Sequence, residues 1–377
     1  MKRGLENTFP TKTGINKMFN AKHYIPILKW KRAEQGALGA LTGEQKKHIT
    51  PLIQFVMPKP KHNEQLKDIV LKFEKQLSQI PEKIIKVWGN TPIFIDASLL
   101  FTIALKGKTL DIVLRGGHEL GGVFIPVIHL NDEEEIQRSV WSAVKETQSG
   151  LCVRLIRPDF SNTTKRDQDM ASILSSSSLS KKDIDLLVDI KVTEDLGEYA
   201  EYFNLSQNMS DLSEWRTFIF ASGSFPKDLS ACKLDEENLI PRIDWKGWQE
   251  QVSSKKIQRK PTFADYTIQH PIYTETSQFF HPTTSIKYTL ENEWLIMKGK
   301  KKEFGMYLAN AALLVTDKRF SGENFSEGDQ YIAEKAKHCE TYMKNSAIGG
   351  TGNTATWISA GINHHLAIVA NQISTLT

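Results

Sequence analysis

Residues 24–41 read YIPILKWKRAEQGALGAL. An apolar run from Tyr24 to Leu28 leads straight into Lys29 and Lys31, and a helical pattern carrying Glu34 follows, with Ala37, Leu38 and Leu41 on its apolar face. Buried parallel strands normally stay apolar to their ends, so a strand closing on two lysines keeps its end for something other than packing. The arrangement recurs. Apolar runs ending in charge or polarity lie at 92–96, 123–129, 151–157, 184–191, 215–224 and 261–266, while an eighth run, 49–55, lacks a terminal charge but carries Gln54.

Eight such runs, starting roughly every 30 residues with helical patterns between them, are the signature of α/β architecture. With no reversal in the series they predict a closed (β/α)8 TIM-like barrel, whose function sits at the carboxyl ends of the strands. An open doubly wound sheet is the alternative, but it would gather its chemistry at one switch point instead of spreading polar ends over eight strands.

The organisation follows from where this pattern stops. Residues 1–22 are polar and aperiodic and read as an N-terminal arm; 23–266 and 349–377 supply the barrel. Residues 267–348 read as an insertion after the eighth strand, lying over the barrel mouth. It holds a β-hairpin, 285–290 and 293–298 with Glu291 and Asn292 at the turn, and a helix containing 330–342. The sequence GGTGN at 349–353 breaks the chain before a closing helix, 354–373. Within the barrel, 65–77 reads as an amphipathic helix. Residues 131–144 read as a helix capped by Asn131, with an acidic first turn that suits a helix N-terminus. Residues 175–181 read as a loop or frayed helix end, and 239–252 as a helix with Trp245 and Trp248 on one packed face.

Composition narrows the function classes. Net charge is +4 with acids and bases interleaved, so charge balance alone implies neither a nucleic-acid nor a membrane surface. The basic clusters Lys255, Lys256, Arg259, Lys260 and Lys298, Lys300, Lys301, Lys302 are expected in solvated loops. Cys152, Cys232 and Cys339 are too scattered for a disulfide framework or a zinc site. No apolar leader segment or run of membrane-spanning length is present, which leads to the expectation of a cytoplasmic protein.

No P-loop, dinucleotide fingerprint, nucleophile elbow or H-E-x-x-H motif occurs. The candidate chemistry therefore rests on the strand ends. Asp96, Asp189 and Asp265, with His129, are the candidate catalytic groups, expected to converge on one site as acid–base residues of a phosphoester hydrolase or related enzyme. The three carboxylates could alternatively hold a divalent cation through oxygen ligands. Lys29, Lys31, Arg154 and Arg157 form a basic wall for phosphate or carboxylate, the arginines binding in bidentate fashion. Glu34 would orient Lys31. Ser222, Tyr266 and His364 complete the ligand-binding set, His364 from the first half of the closing helix. The same groups also admit a catalytically silent reading, in which lysines and arginines neutralise the aspartates as a polar plug.

YIPILKWKRAEQGAL, the following ITPLIQF, the FIDAS strand and a C-terminal W-x-x-x-G-x-N-H-H element together resemble the beta-protein family, named after a bacteriophage protein and widespread in bacteria. Tyr24, Pro26, Leu28, Lys31, Glu34 and Leu38 match its first element, and the anchors extend to His365. The resemblance brings no reaction with it. It implies a phage or mobile-element setting and, by extension, a role in phage–host conflict beside a partner such as a nuclease or toxin. Two functions from different classes follow. One is a barrel that takes an anionic, phosphate-containing ligand or a nucleic-acid end at its mouth. The other is an interaction module whose insertion binds a partner protein through an apolar face on 285–298.

Overall fold

The computed structural model describes residues 20–61, 63–254, 256–273 and 283–376. Most of the expected N-terminal arm, Lys255 and residues 274–282 of the insertion lie outside the described residues. Eight parallel strands close a barrel in chain order: β1 (Tyr24–Lys29), β2 (Leu52–Gln54), β3 (Ile93–Asp96), β4 (Phe124–His129), β5 (Leu151–Ile156), β6 (Ile184–Val192), β7 (Thr217–Gly223) and β9 (Thr262–Asp265), which returns to pair with β1. The (β/α)8 expectation holds. A further strand, β8 (Asn238–Pro241), leaves the barrel between β7 and β9 and joins a separate antiparallel sheet with β10 (Ile286–Thr289) and β11 (Glu293–Met297).

The helices are α1 (Arg32–Gly39), α2 (Gly43–Lys46), α3 (Leu66–Leu77), α4 (Ile80–Trp88), α5 (Ile103–Glu119), α6 (Glu134–Thr147), α7 (Thr163–Ser177), α8 (Leu196–Gln207), α9 (Ile243–Val252), α10 (Gly305–Leu314), α11 (Glu327–Lys344) and α12 (Thr354–Ser374). Strand alternation sorts the apolar residues into two cores. Ile25, Ile27, Leu52, Phe94, Ile125 and Leu187 are among those filling the barrel lumen, while the opposite faces pack outward against the helices. Trp245 and Trp248 of α9 stack at 5.5 Å and both meet Phe263 edge-on, as their spacing predicts. Each such side chain contributes on the order of 2–3 kcal/mol by burial.

Several local expectations change. Residues 239–241 are strand, not helix: Pro241 disfavours α geometry at Ile240, and proline is tolerated at a sheet edge. The helix expected from 131 begins at Glu134 with Glu133 as its uncapped N-terminal residue. Asp132 instead accepts a hydrogen bond from the His129 amide at 2.8 Å. Helix α7 continues through Ser177, and Ser178 takes the left-handed conformation that ends it. Helix α10 was not anticipated, because GMYLANAALL is apolar nearly all round and lacks a one-sided period.

The hairpin forms in the expected register, Thr289 opposite Trp294 across the Glu291–Asn292 turn. It is not a free-standing element. β11 pairs with β8 from the barrel's own seventh connection, and Arg242, fully buried, donates from Nη1 to the carbonyls of Leu290 and Glu291 at 3.0 Å each. Ile286, Tyr288, Leu290, Trp294, Leu295 and Ile296 are all buried within the chain. The apolar face expected to be offered to a partner on 285–298 is therefore already covered. Where α11 crosses α12, Gly328 lies so close that a Cβ there would meet the Ala360 carbonyl oxygen.

Candidate functional site

The site is built by register. Lys29 pairs with Gln54 and Gln54 with Asp96, so the inward-facing ends of β1, β2 and β3 stand in one row. His129 pairs with Arg154 across β4 and β5, and Asp189 faces inward from β6 opposite Ala221. Arg154, with no solvent exposure, joins the two aspartates. Its Nη1 donates to Asp96 Oδ2 at 2.5 Å, while Nε and Nη2 donate to Asp189 Oδ2 at 2.9 and 2.5 Å. Nη2 also donates to the Tyr266 hydroxyl oxygen at 2.7 Å, and that hydroxyl donates to Asp189 Oδ2 at 2.6 Å. The remaining carboxylate capacity is met locally: Gln54 Nε2 and the Ser98 amide reach Asp96, and the Lys191 amide reaches Asp189 Oδ1.

Burial alone would raise both carboxyls, but charges overturn it. Arg154 and His129 hold Asp96 below the usual carboxylate range, and Lys191 and Arg154 hold Asp189 further below it. A guanidinium thus occupies the position that a shared cation would need. Among the described residues no group of three or more His, Cys, Asp or Glu side chains is arranged to hold a metal ion.

The lysines around this saturated pair are held differently. At the end of β6 the pairing slips between Asp189 and Val192, and Lys191 adopts φ +59°. Left-handed backbone costs a non-glycine residue roughly 1–2 kcal/mol, and bulges beside functional sites re-aim side chains. Here the bulge brings Lys191 Nζ to 3.0 Å from both the Tyr266 hydroxyl and Asp189 Oδ2. Lys29 is 2% exposed, lies 5.2 Å from the Tyr266 ring centroid, and donates one long hydrogen bond, 3.5 Å, to the His270 carbonyl. Desolvation pulls its ammonium down to about 7, against the opposing pull of Glu34. His129 is lowered to about 4 by burial, and its Nε2 has no hydrogen-bond partner among the described residues. Glu34 is buried, accepts from Gln269 Nε2 at 2.9 Å, and is raised by desolvation.

Not every expected residue joins this group. Asp265 ends β9 and Tyr266 follows it in extended continuation, so the two face opposite ways. Tyr266 enters the lumen; Asp265 points outward, accepting from the Tyr24 hydroxyl at 2.5 Å and pairing with His365 Nε2 at 2.9 Å. Asp265 therefore does not converge with Asp96 and Asp189. His364 is also remote from the mouth: it bridges Asp329 Oδ2 and the Thr289 carbonyl at 2.8 Å each and stacks on Tyr288 at 3.9 Å. Ser222 turns away from the lumen on β7, its hydroxyl buried and unpartnered among the described residues. Arg157 ties the β5 end to its neighbours through Glu198 and the carbonyls of Ile190 and Val192. Lys31 is exposed, 4.4 Å from the Tyr273 ring centroid, with its charge felt at Glu34. Of the surface basic clusters, Arg259 and Lys298 donate to backbone carbonyls.

Two contributors carried no readable signal. Gln269, which holds Glu34, follows the strand in a polar loop, and Asp132 resembled an ordinary helix-start acid. Gln54 was visible as the polar residue near the end of its run.

A (β/α)8 barrel with a charge-paired lumen end and a sheet-bearing insertion is the class that fold and site define. Within that class the chain belongs to the Beta protein family, which matches it over residues 24–371. No curated protein matches the sequence. Among the described residues no helix is long and apolar enough to cross a membrane.

Proposed function

We propose that the barrel mouth binds an anionic, phosphate-containing ligand or a phosphorylated nucleic-acid end. The observation that supports this reading is an excess of positive charge beside two saturated acids. Asp96 and Asp189 are met by Arg154, Tyr266, Gln54 and two backbone amides. Beside them, Lys29 has no carboxylate within salt-bridge distance among the described residues, and Lys191, brought in by a strained bulge, adds a second cation against Asp189 at 3.0 Å. Acids so engaged are poor general bases, so binding is favoured over phosphoester hydrolysis. The proposed setting is a phage or mobile element, with a role in phage–host conflict.

Calorimetry with a 5′-phosphorylated and an unphosphorylated oligonucleotide tests the reading. Preference for the phosphate, weakened about tenfold (about 1.4 kcal/mol) in Lys191→Met, is expected. Equal affinity for both oligonucleotides overturns it.

The saturated carboxylates equally favour a second reading, a catalytically silent module that binds a partner nuclease or toxin. Because the 285–298 face is buried, such a partner would have to dock elsewhere. Co-purification of one stoichiometric protein by wild type and Lys191→Met alike, without phosphate preference, would select this reading.

A further inference from the structure

We propose that Lys29 is an imine-forming amine, which condenses with the carbonyl carbon of a phosphorylated aldehyde or ketone held at the barrel mouth. The choice of ligand class rests on the phosphate-binding reading; the reactivity of the amine does not.

The geometry sets Lys29 apart from the other mouth bases. Its side chain enters from the inward face of β1, in the same row as Gln54 and Asp96, and is nearly inaccessible. A buried ammonium is normally paired or hydrogen-bonded on several sides, yet among the described residues this one has a single 3.5 Å hydrogen bond and the face of Tyr266. Its surroundings hold further positive charge from Lys191, Lys31 and Arg154. Desolvation and neighbouring cations are the two devices that keep a lysine amine uncharged and nucleophilic. Both act here, and the ammonium is lowered to about 7. Glu34, buried and held by Gln269, is the carboxylate whose charge acts most strongly on Lys29. Burial raises its carboxyl group, which suits it to carry protons in both directions.

The step balances without a further reactant. Glu34 lies beyond salt-bridge distance of Lys29, so protons pass between them through one water; by this route the Lys29 ammonium gives a proton to Glu34, and the freed lone pair forms a bond to the carbonyl carbon. The carbonyl oxygen takes the proton from Glu34, and the nitrogen then returns one to Glu34, leaving a neutral carbinolamine. Glu34 protonates the hydroxyl, which departs as water while the nitrogen lone pair closes the C=N bond. Ammonium and carbonyl become iminium and water. The phosphate meets the surrounding positive charge of Lys191 and Lys31.

The test uses pyridoxal 5′-phosphate and pyridoxal as carbonyl probes, each at limiting concentration, with borohydride reduction and peptide mapping of the full chain. Lys287 is the internal comparison, since it is also desolvated, lowered to about 8, but belongs to the insertion hairpin and sits against Phe225 and the Ile268 carbonyl. Reduced adduct at Lys29 above that at Lys287, at least about tenfold above the surface lysines, and absent from Lys29→Met, is the expected result; the tenfold margin reflects the small unprotonated fraction of an ordinary lysine at neutral pH. Adduct at Lys29 with the phosphorylated probe well above pyridoxal supports both readings. Equal labelling at Lys29 by both probes keeps the imine and overturns the phosphate preference. Adduct confined to other lysines overturns the imine whatever the affinity, and calorimetry with inorganic phosphate then reports on the phosphate site separately. Circular dichroism of Lys29→Met confirms that loss of labelling is not loss of fold.

Discussion

Replacing Arg154 with methionine removes the centre of the lumen network while conserving much of its volume. The structure sets the magnitude. Four donor contacts, two of 2.5 Å, link one guanidinium to Asp96, Asp189 and Tyr266, and none of the three charged side chains is more than 1% exposed. Removing one partner of such a group leaves buried carboxylates uncompensated, at a cost of roughly 3–5 kcal/mol. The loss should depend on pH in a defined direction. In the wild type both aspartates are held below the ordinary range. Their contribution is therefore present above the unfolded value of about 4 and lost as pH falls through the folded values. In Arg154→Met, burial acts on Asp96 without the opposing guanidinium, so its carboxyl is pushed up and folding favours its protonated form, while Asp189 keeps Lys191 as its remaining partner. The gap between the proteins should narrow from about pH 7 to about pH 5. Urea denaturation followed by circular dichroism measures it at both values. Adding Asp96→Asn and Asp189→Asn to Arg154→Met should recover most of the lost stability at neutral pH. A loss below about 1 kcal/mol, or no recovery in the triple variant, would refute the reasoning, because the network would then be a minor decoration of an apolar core.

Three other outcomes are expected. Asp132 is raised to about 6 by burial, so its ionised form opposes folding at neutral pH. Its favourable contribution is full below about pH 4 and lost as pH rises through the folded value, so Asp132→Asn should stabilise by up to about 2–3 kcal/mol near pH 7 and by little near pH 4; equal denaturation midpoints at the higher pH would contradict this. Trp294→Ala removes a fully buried ring packed edge-on against Phe225 at 5.1 Å, and should cost about 3–5 kcal/mol in one cooperative transition. A separate early transition with the barrel unaffected would show that the insertion folds independently. Gly328→Ala should lower stability by about 1–3 kcal/mol by forcing α11 off α12, measurable by thermal unfolding; an unchanged midpoint would mean that the crossing relaxes freely.

The barrel and its strand order were legible in the amino-acid sequence. Hydrophobic periodicity is a local property, and eight apolar runs separated by helical patterns have few ways to bury both faces of each strand. Also legible was the gathering of polar groups at the strand ends, from Lys29 through Gln54, Asp96, His129 and Arg154 to Asp189. Which of those groups meet was decided only by the tertiary structure. Adjacent residues such as Asp265 and Tyr266 cannot share a face, but register against β1 and β7 selects the one that enters the lumen. Tyr266 joined Arg154, while Asp265 was left to Tyr24 and His365 on the other side of the wall. The bulge that turns Lys191 inward, the strand Asn238–Pro241 captured by a hairpin more than 40 residues further along, and the pairing of His364 with Asp329 are likewise contacts between distant segments. No local pattern encodes them, because their free energy comes from partners that only the closed barrel brings within reach.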